Sequence, residues 1–361
     1  MTSWRTCVQI SLFVWIAGFL SCSTCRTPGE YKIALVPSRS GQRGIFVMNS
    51  DTSGGKLLTS DAAARLSISS WSPDGSKIAF FSTRPTGSGA VGSDIPQHYP
   101  LQVIDAAGGG GNRLFDFPVS GFEWSPDGRK LLFISAYENP EKKDRQVLLG
   151  TKKLLSAIYV YDLREGSQRR ITDFGLHCSG AWSPDSGRLA LSLGGEESSD
   201  LYVAVLQSGQ TRRLTDSRSV NTAPAWSPDG KTIAYLCFGS PGEDSEAGVY
   251  RIDSSGGNKR RISDKMAYGV SWSRDGKWIL LQSATGIYLT DPEGKKLTDL
   301  LPGIGRPLDA VFSPDARKVL FRSNHEKGWQ LYKVDLDGTN LKRVTYLSAS
   351  SFCVSPLLSK R

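Results

Sequence analysis

A five-residue string recurs along the chain and narrows what it can fold into. It reads Trp71-Ser72-Pro73-Asp74-Gly75, returns at Trp124 to Gly128 and Trp226 to Gly230, and is nearly complete at Trp182 to Asp185. Two degenerate copies follow, Trp272-Ser273-Arg274-Asp275-Gly276 and Phe312-Ser313-Pro314-Asp315. The aromatic positions lie 40 to 58 residues apart, within or somewhat above the span of one four-stranded propeller blade. Proline presets φ at the second position of a tight turn and glycine accepts the positive φ that closes it, so each copy predicts a hairpin. The aromatic residue ends the preceding strand, where it can fill space between blades, and the aspartate can accept hydrogen bonds from turn amides.

The residues after each copy complete a blade. A β-rich run follows, such as Lys77-Ile78-Ala79-Phe80-Phe81 or Lys231-Thr232-Ile233-Ala234-Tyr235, then a third strand such as Gln330-Leu331-Tyr332-Lys333-Val334-Asp335. A short fourth strand reads Arg170-Ile171-Thr172-Asp173, Arg213-Leu214-Thr215-Asp216, Arg261-Ile262-Ser263-Asp264 or Lys296-Leu297-Thr298-Asp299. These are strands a to d, from the axis outward. The chain's 38 glycines and 18 prolines suit many strands joined by tight turns. Lys32-Ile33-Ala34-Leu35-Val36 aligns with strand b but has no string before it, while Val354-Ser355-Pro356 matches the string's frame 42 residues after Phe312. A C-terminal strand a is therefore expected to join N-terminal strands b, c (45–49) and d (56–59). Six copies plus this split blade predict an all-β, seven-bladed propeller, with six blades as the alternative, closed without an open edge.

The Trp-Ser-Pro-Asp-Gly turn, the Lys-Ile-Ala-Phe type of strand b and the Arg-Ile/Leu-Thr-Asp tract resemble the TolB-like repeat. That repeat occurs in TolB, in the propellers of prolyl-oligopeptidase-like peptidases and in oligogalacturonate lyases, and the resemblance covers residues 31–358. It implies the fold and leaves function open, because one scaffold hosts unrelated activities. The peptidases add a hydrolase domain with a Gly-x-Ser-x-Gly elbow, for which this chain is expected to have no counterpart. The lyases use a histidine-rich metal site, and no closely spaced histidine pair is present. TolB places an α/β domain ahead of its propeller, whereas about eight residues separate Cys22 from Tyr31. Docking of another envelope protein at one face is what carries over.

Residues 7–20 are nearly continuous apolar chain, the length of a signal-peptide core and shorter than the roughly 20 residues of a spanning helix. Phe19-Leu20-Ser21-Cys22 resembles a lipobox, with Phe19 where leucine is usual and Leu20 where a small residue is. The expected organisation is a lipoprotein-type signal peptide at 1–21, a tether at 22–30 with lipid on Cys22, and the propeller at 31–361. An ordinary signal peptide or an uncleaved anchor is the alternative. Either way the chain leaves the cytoplasm, for the periplasm or the cell surface. Cys178, Cys237 and Cys353 fall in different repeats and are expected as free thiols.

A net charge of +9 raises a nucleic-acid or anionic-membrane reading. The basic residues concentrate on strand d, among them Arg169, Arg170, Arg212, Arg213, Arg260 and Arg261, where Lys and Arg discourage edge pairing with other chains. Spread around a rim, they form no nucleic-acid groove, and no nucleic-acid partner is expected.

Alternating strand direction puts a–b and c–d turns on one face of the disc and b–c and d–a loops on the other. The longest excursions, residues 83–98 and 136–157, are b–c loops of adjacent blades, with a smaller acidic one at 238–247. Loops that grow on one face of a rigid scaffold are the usual place for recognition, which selects Asp94, His98, Tyr99, Tyr137, Glu138, Lys143, Asp144 and Arg145 as binding candidates; tolerated insertion is the competing explanation. All three histidines, His98, His177 and His325, share that face but belong to different blades, so no metal site is assigned. The sequence therefore reads as a monomeric, non-enzymatic binding or scaffold protein of the bacterial cell envelope, without a cofactor or catalytic residues, for a protein, peptide or glycan partner. A metal-assisted polysaccharide lyase or hydrolase resembling oligogalacturonate lyase is the alternative.

Overall fold

A computed structural model describes residues 31–37, 44–60, 65–83, 101–109, 112–115, 119–136, 148–149, 153–195, 197–239, 247–304, 307–326, 328–345 and 349–356. They form seven four-stranded antiparallel sheets arranged as the blades of a propeller. Blade 1 is the split one, with strand a Ala349–Val354, b Lys32–Pro37, c Gly44–Asn49 and d Lys56–Ser60. Blades 2 to 7 follow in chain order, and their innermost strands are Arg65–Trp71, Gly121–Trp124, His177–Trp182, Asn221–Trp226, Gly269–Trp272 and Leu308–Phe312. The b–c loop of blade 3 adds a two-stranded hairpin, Leu148–Leu149 with Lys153–Leu154.

The recurring string works through its serine and aspartate. In blade 5 the Ser227 hydroxyl donates to Asp229 Oδ1 at 2.6 Å and accepts the amide of Thr232 at 2.9 Å, while Asp229 accepts the amide of Lys231 at 3.1 Å. Gly230 N–H closes the turn on Ser227 O at 2.9 Å. The same bonds recur in the other five copies, for example Ser72 with Asp74 and Lys77, and Ser313 with Asp315 and Lys318. Each serine hydroxyl thus fixes the turn and the first amide of strand b together. The fifth position takes a left-handed φ near 70° at Gly75, Gly128, Gly230 and Gly276, and Ser186 and Ala316 adopt 57° and 56° although they are not glycine. The turn bonds impose that conformation on them against a cost of roughly 1–2 kcal/mol.

The core is divided among the interfaces. Seven apolar clusters occur, one at each junction of neighbouring blades. Strand b is apolar along its length because both its faces are covered, with alternate residues serving alternate neighbours. In blade 5 Ile233, Tyr235 and Cys237 pack with blade 4, and Ala234 and Leu236 with blade 6. The string's tryptophan adds a directional bond. Trp182, Trp226 and Trp272 donate their indole N–H to the carbonyls of Glu123, Ala181 and Ala225 on the preceding blade, at 3.1–3.2 Å.

The Arg-Ile/Leu-Thr-Asp tract behaves differently from a plain strand. Strand d of blades 3 and 4 ends at its arginine, at Ser167–Arg170 and Thr211–Arg213. The threonine hydroxyl then replaces the backbone carbonyl as acceptor for strand c: Ile158 N–H donates to Thr172 Oγ1 at 2.9 Å, Leu201 N–H to Thr215 Oγ1 at 2.9 Å and Leu331 N–H to Thr345 Oγ1 at 3.1 Å.

Closure follows the expected pairing, with Ile33 opposite Val354, Ala34 opposite Cys353 and Leu35 opposite Phe352. Lys32 N–H donates to Ser355 Oγ and Ser355 N–H to Lys32 O, both at 2.8 Å. The basic rim does more than shield edges. Lys56 Nζ reaches Ala107 O of blade 2 at 2.7 Å, Arg169 reaches Leu206 O of blade 4 at 2.9 Å, and Arg212 reaches Ser255 O of blade 5 at 2.6 Å. Arg260 pairs with Glu293 of blade 6 at 3.0 Å, and Lys333 Nζ bonds Ser50 O of blade 1 at 3.0 Å. These cations, four from strand d and Lys333 from strand c, clasp five of the seven blades to the c–d turn of a neighbour.

Ser227→Ala leaves the Thr232 amide and one Asp229 lone pair unserved, and is expected to lower stability by about 1–3 kcal/mol. Ala316→Gly removes the side chain from a left-handed position and is expected to raise stability by up to about 1 kcal/mol. Urea unfolding midpoints check both, and a lower midpoint for Ala316→Gly contradicts the turn account.

Candidate functional site

Eight binding candidates, Asp94, His98, Tyr99, Tyr137, Glu138, Lys143, Asp144 and Arg145, lie outside the described residues, as does Cys22. His177 begins strand a of blade 4, and its ring is likewise outside the description. The ring of His325 packs against Tyr332 at a tilt of 50° with centroids 4.6 Å apart, and its Nδ1 is 3.2 Å from Ser323 Oγ. Its Nε2 is 4.0 Å from Glu326 Oε1. Among the described residues no group of three or more His, Cys, Asp or Glu side chains is placed to hold a metal ion.

The described part of the b–c and d–a face, the loop face, has its own chemistry at the entry ends of the innermost strands. Strand a of blades 2, 5 and 7 shifts register within the strand, between Ile68 and Ser70, Thr222 and Ala225, and Leu308 and Val311. Ala223 and Asp309 take φ of 54° and 53° in two of these bulges. A bulge frees backbone groups that the ladder would have used, and side chains of neighbouring strands take them. Gln282 of blade 6 donates to Ala310 O at 2.9 Å and accepts Ala310 N–H at 2.8 Å. Ser192 and Ser199 of blade 4 both donate to Asn221 O, at 2.7 and 2.8 Å.

Two polar clusters grow from these bulges. Between blades 4 and 5, buried Asp200 accepts Arg213 at 2.6 Å and the Thr215 hydroxyl at 2.8 Å, and Asn221 Nδ2 donates to Ser217 Oγ at 2.9 Å and Ser199 O at 3.1 Å. Asn221 Oδ1 is buried with no hydrogen-bond donor among the described residues. Between blades 7 and 1, Arg322 pairs with Asp309, donates to the carbonyls of Ala349 and Ser350, and lies over the Trp329 ring at 5.7 Å. One guanidinium therefore joins the bulge of blade 7 to the start of the closing strand.

Glu123 stands apart. It precedes Trp124 in strand a of blade 3 and accepts the Trp182 amide of blade 4 at 3.3 Å. The equivalent residues of the other blades are Ser70, Ala181, Ala225, Ser271, Val311 and Cys353, so Glu123 is the one carboxylate at this register. Burial pushes its carboxyl up to about 8, and the Trp182 N–H opposes that rise. The same effect raises the Cys353 thiol well above its ordinary value. Aligning the seven repeats by their aromatic residue exposes Glu123 at once. Asp200, Asn221, Asp309 and Arg322 carry no such signal, because their partners belong to other blades.

A folded value near 8 against an ordinary 4.5 means the native chain holds a proton that the unfolded chain releases between those pH values. Stability tied to this group is greatest below about 4.5 and is lost as pH rises through about 8. Glu123→Gln is expected to match the parent melting temperature at pH 5 and to exceed it at pH 9. The same difference at both pH values counts against a desolvated carboxyl.

Residues 89–286, more than half of the chain, match the family described as TolB beta propeller domain. The uncharacterized peptidase YuxL of Bacillus subtilis is 25% identical over 210 residues, covering 56% of this chain and 29% of the relative. The protein TolB homolog of Chlorobium luteolum is 27% identical over 264 residues, covering 68% of this chain and 56% of the relative. The chain thus spans little more than half of either curated relative at most. Oligogalacturonate lyase from Vibrio parahaemolyticus superposes with a TM-score of 0.62 at 14% identity, covering 89% of this chain and 96% of that one, a likeness of fold. The repeated Ser-Asp turn, the seven closed blades and the match over residues 89–286 lead to one conclusion: the chain belongs to the TolB beta propeller domain family.

Proposed function

We propose that this propeller is a non-enzymatic binding module of the bacterial cell envelope, exported, tethered by lipid on Cys22, and presenting its loop face to a protein, peptide or glycan. The observation that carries this reading is the unlike construction of the two faces. On the a–b side six turns repeat one set of bonds, with Ser72, Ser125, Ser183, Ser227, Ser273 and Ser313 each donating to the aspartate two residues on. On the loop side three junctions each use a different device: a serine pair holds blade 5, a glutamine holds blade 7, and an arginine fork holds the closing strand. Repetition serves the scaffold, and individual surfaces on a rigid scaffold serve recognition. The two long insertions, at 83–98 and 136–157, belong to this face. Export and tethering are supported by the apolar run 7–20 and the lipobox-like Phe19-Leu20-Ser21-Cys22.

Deleting residues 87–95 and 138–150 together is expected to abolish capture of the envelope partner while the far-ultraviolet circular dichroism and melting temperature stay near those of the parent. Undiminished capture by the folded deletion variant removes the loop-face assignment. Stoichiometric metal in the purified protein that disappears in a His98, His177 and His325 triple alanine variant favours a metal-assisted enzyme instead. Cys22→Ser is expected to move the protein from the membrane to the soluble fraction and to end fatty-acid labelling, and continued labelling places the lipid elsewhere.

A further inference from the structure

The chain enters the disc on the face opposite the loops. Tyr31 is buried, immediately precedes strand b of blade 1, and accepts the Ser50 amide from the adjoining c–d turn at 2.9 Å. The nine residue steps from Cys22 to Tyr31 span at most about 32 Å when fully extended. A lipid on Cys22 therefore holds the a–b turn face within that distance of the bilayer.

Among the described residues the two faces differ in charge. From aromatic residue to first residue of strand b, the six turns contain nine Lys and Arg against six Asp. Their aspartates are turned into the turns by the serine hydroxyls and amides, as at Asp127 and Asp229. Arg129, Lys231 and Arg317, from blades 3, 5 and 7, are exposed and form no ion pair among the described residues. Of the outer acidic groups of this face, Asp105, Glu293 and Asp335 are ion-paired, as in Lys77 with Asp105 at 2.8 Å and Arg251 with Glu293 at 2.9 Å, whereas the exposed Asp51, Glu165 and Asp337 carry no ion pair among the described residues and accept hydrogen bonds from Ser53, Ser167 and Thr339 of their own turns. On the loop face Asp173, Glu197, Asp264 and Asp299 are exposed without an ion pair among the described residues, against the exposed Arg218 and a Lys265 drawn over the Tyr288 ring at 5.2 Å.

We propose that the a–b turn face lies against the anionic lipid headgroups of the membrane that holds the tether, so that the loop face is displayed outward to its partner. The proposal rests on the lipid tether of the preceding section. Three cations placed around the axis meet the headgroups on approach, while the unpaired carboxylates of the opposite face are repelled by them. Because headgroup attraction fades over about 8 Å at physiological ionic strength, the tether supplies proximity and the cations supply orientation.

The test uses the lipidated full chain, reconstituted into vesicles of phosphatidylcholine with or without phosphatidylglycerol and carrying a headgroup nitroxide quencher. An unnatural fluorescent amino acid reports from exposed Ser76 on the turn face or from exposed Asn324 on the loop face. Strong quenching at Ser76 that needs phosphatidylglycerol, with little at Asn324, is expected. The triple variant Arg129→Gln, Lys231→Gln, Arg317→Gln is expected to weaken Ser76 quenching several-fold while remaining vesicle-bound. Equal quenching at both positions, stronger quenching at Asn324, or indifference to the triple variant overturns the orientation. Cys22→Ser separates the two readings. Release of that variant with no turn-face bias in the lipidated chain keeps the tether and removes the docking, whereas retention with the bias intact removes the tether and keeps the docking.

Discussion

Six of the seven blades depend on a serine hydroxyl that is donor and acceptor at once. It gives its hydrogen to the aspartate two residues on and receives the amide five residues on, which ties the exit of the innermost strand to the start of the next. Because the hydroxyl is buried, neither bond competes with water, and the aspartate is held below its ordinary range chiefly by the serine, as at Asp229. The turn in turn fixes where the tryptophan leaves strand a, and so which carbonyl of the preceding blade its indole meets. A local bond pair thereby sets the spacing of neighbouring sheets.

What could be read from the sequence follows that division between local and non-local. The hairpin at Ser227 was legible because every partner lies within five residues. So was the closing strand, since Val354-Ser355-Pro356 keeps the frame of the repeat even without its aromatic residue, and Lys32 and Ser355 exchange the same pair of bonds found elsewhere. The Arg-Ile/Leu-Thr-Asp tract was legible as a unit but misassigned in part: at Thr172 and Thr215 the side chain, and not the backbone, ends the ladder.

The loop face was not legible, for a physical reason. A bulge at Asp309 is stable only where Gln282 stands opposite Ala310 and Arg322 opposite Asp309, and nothing in the spacing of those residues announces the encounter. The rim cations carried a partial signal. Their position on strand d indicated an exposed edge, while their reach to Ala107, Leu206 and Ser255 of the next blade requires the stacking angle of the blades to be known. Glu123 was within reach of sequence reasoning, being the single acid in a register otherwise occupied by small, apolar or hydroxyl residues.

The indole bonds also divide the disc mechanically. They run without a break from blade 3 to blade 6, through Trp182, Trp226 and Trp272. Blades 7 and 1 carry Phe312 and Val354 at this place, which have no N–H to give, and the indole N–H groups of Trp71 and Trp124 find no acceptor among the described residues. One arc is stitched at its hub by indole bonds, and the other is joined by side-chain packing, by Gln282 and Arg322, and by the Lys56 and Lys333 clasps. Both long insertions spring from blades 2 and 3, at the end of that second arc.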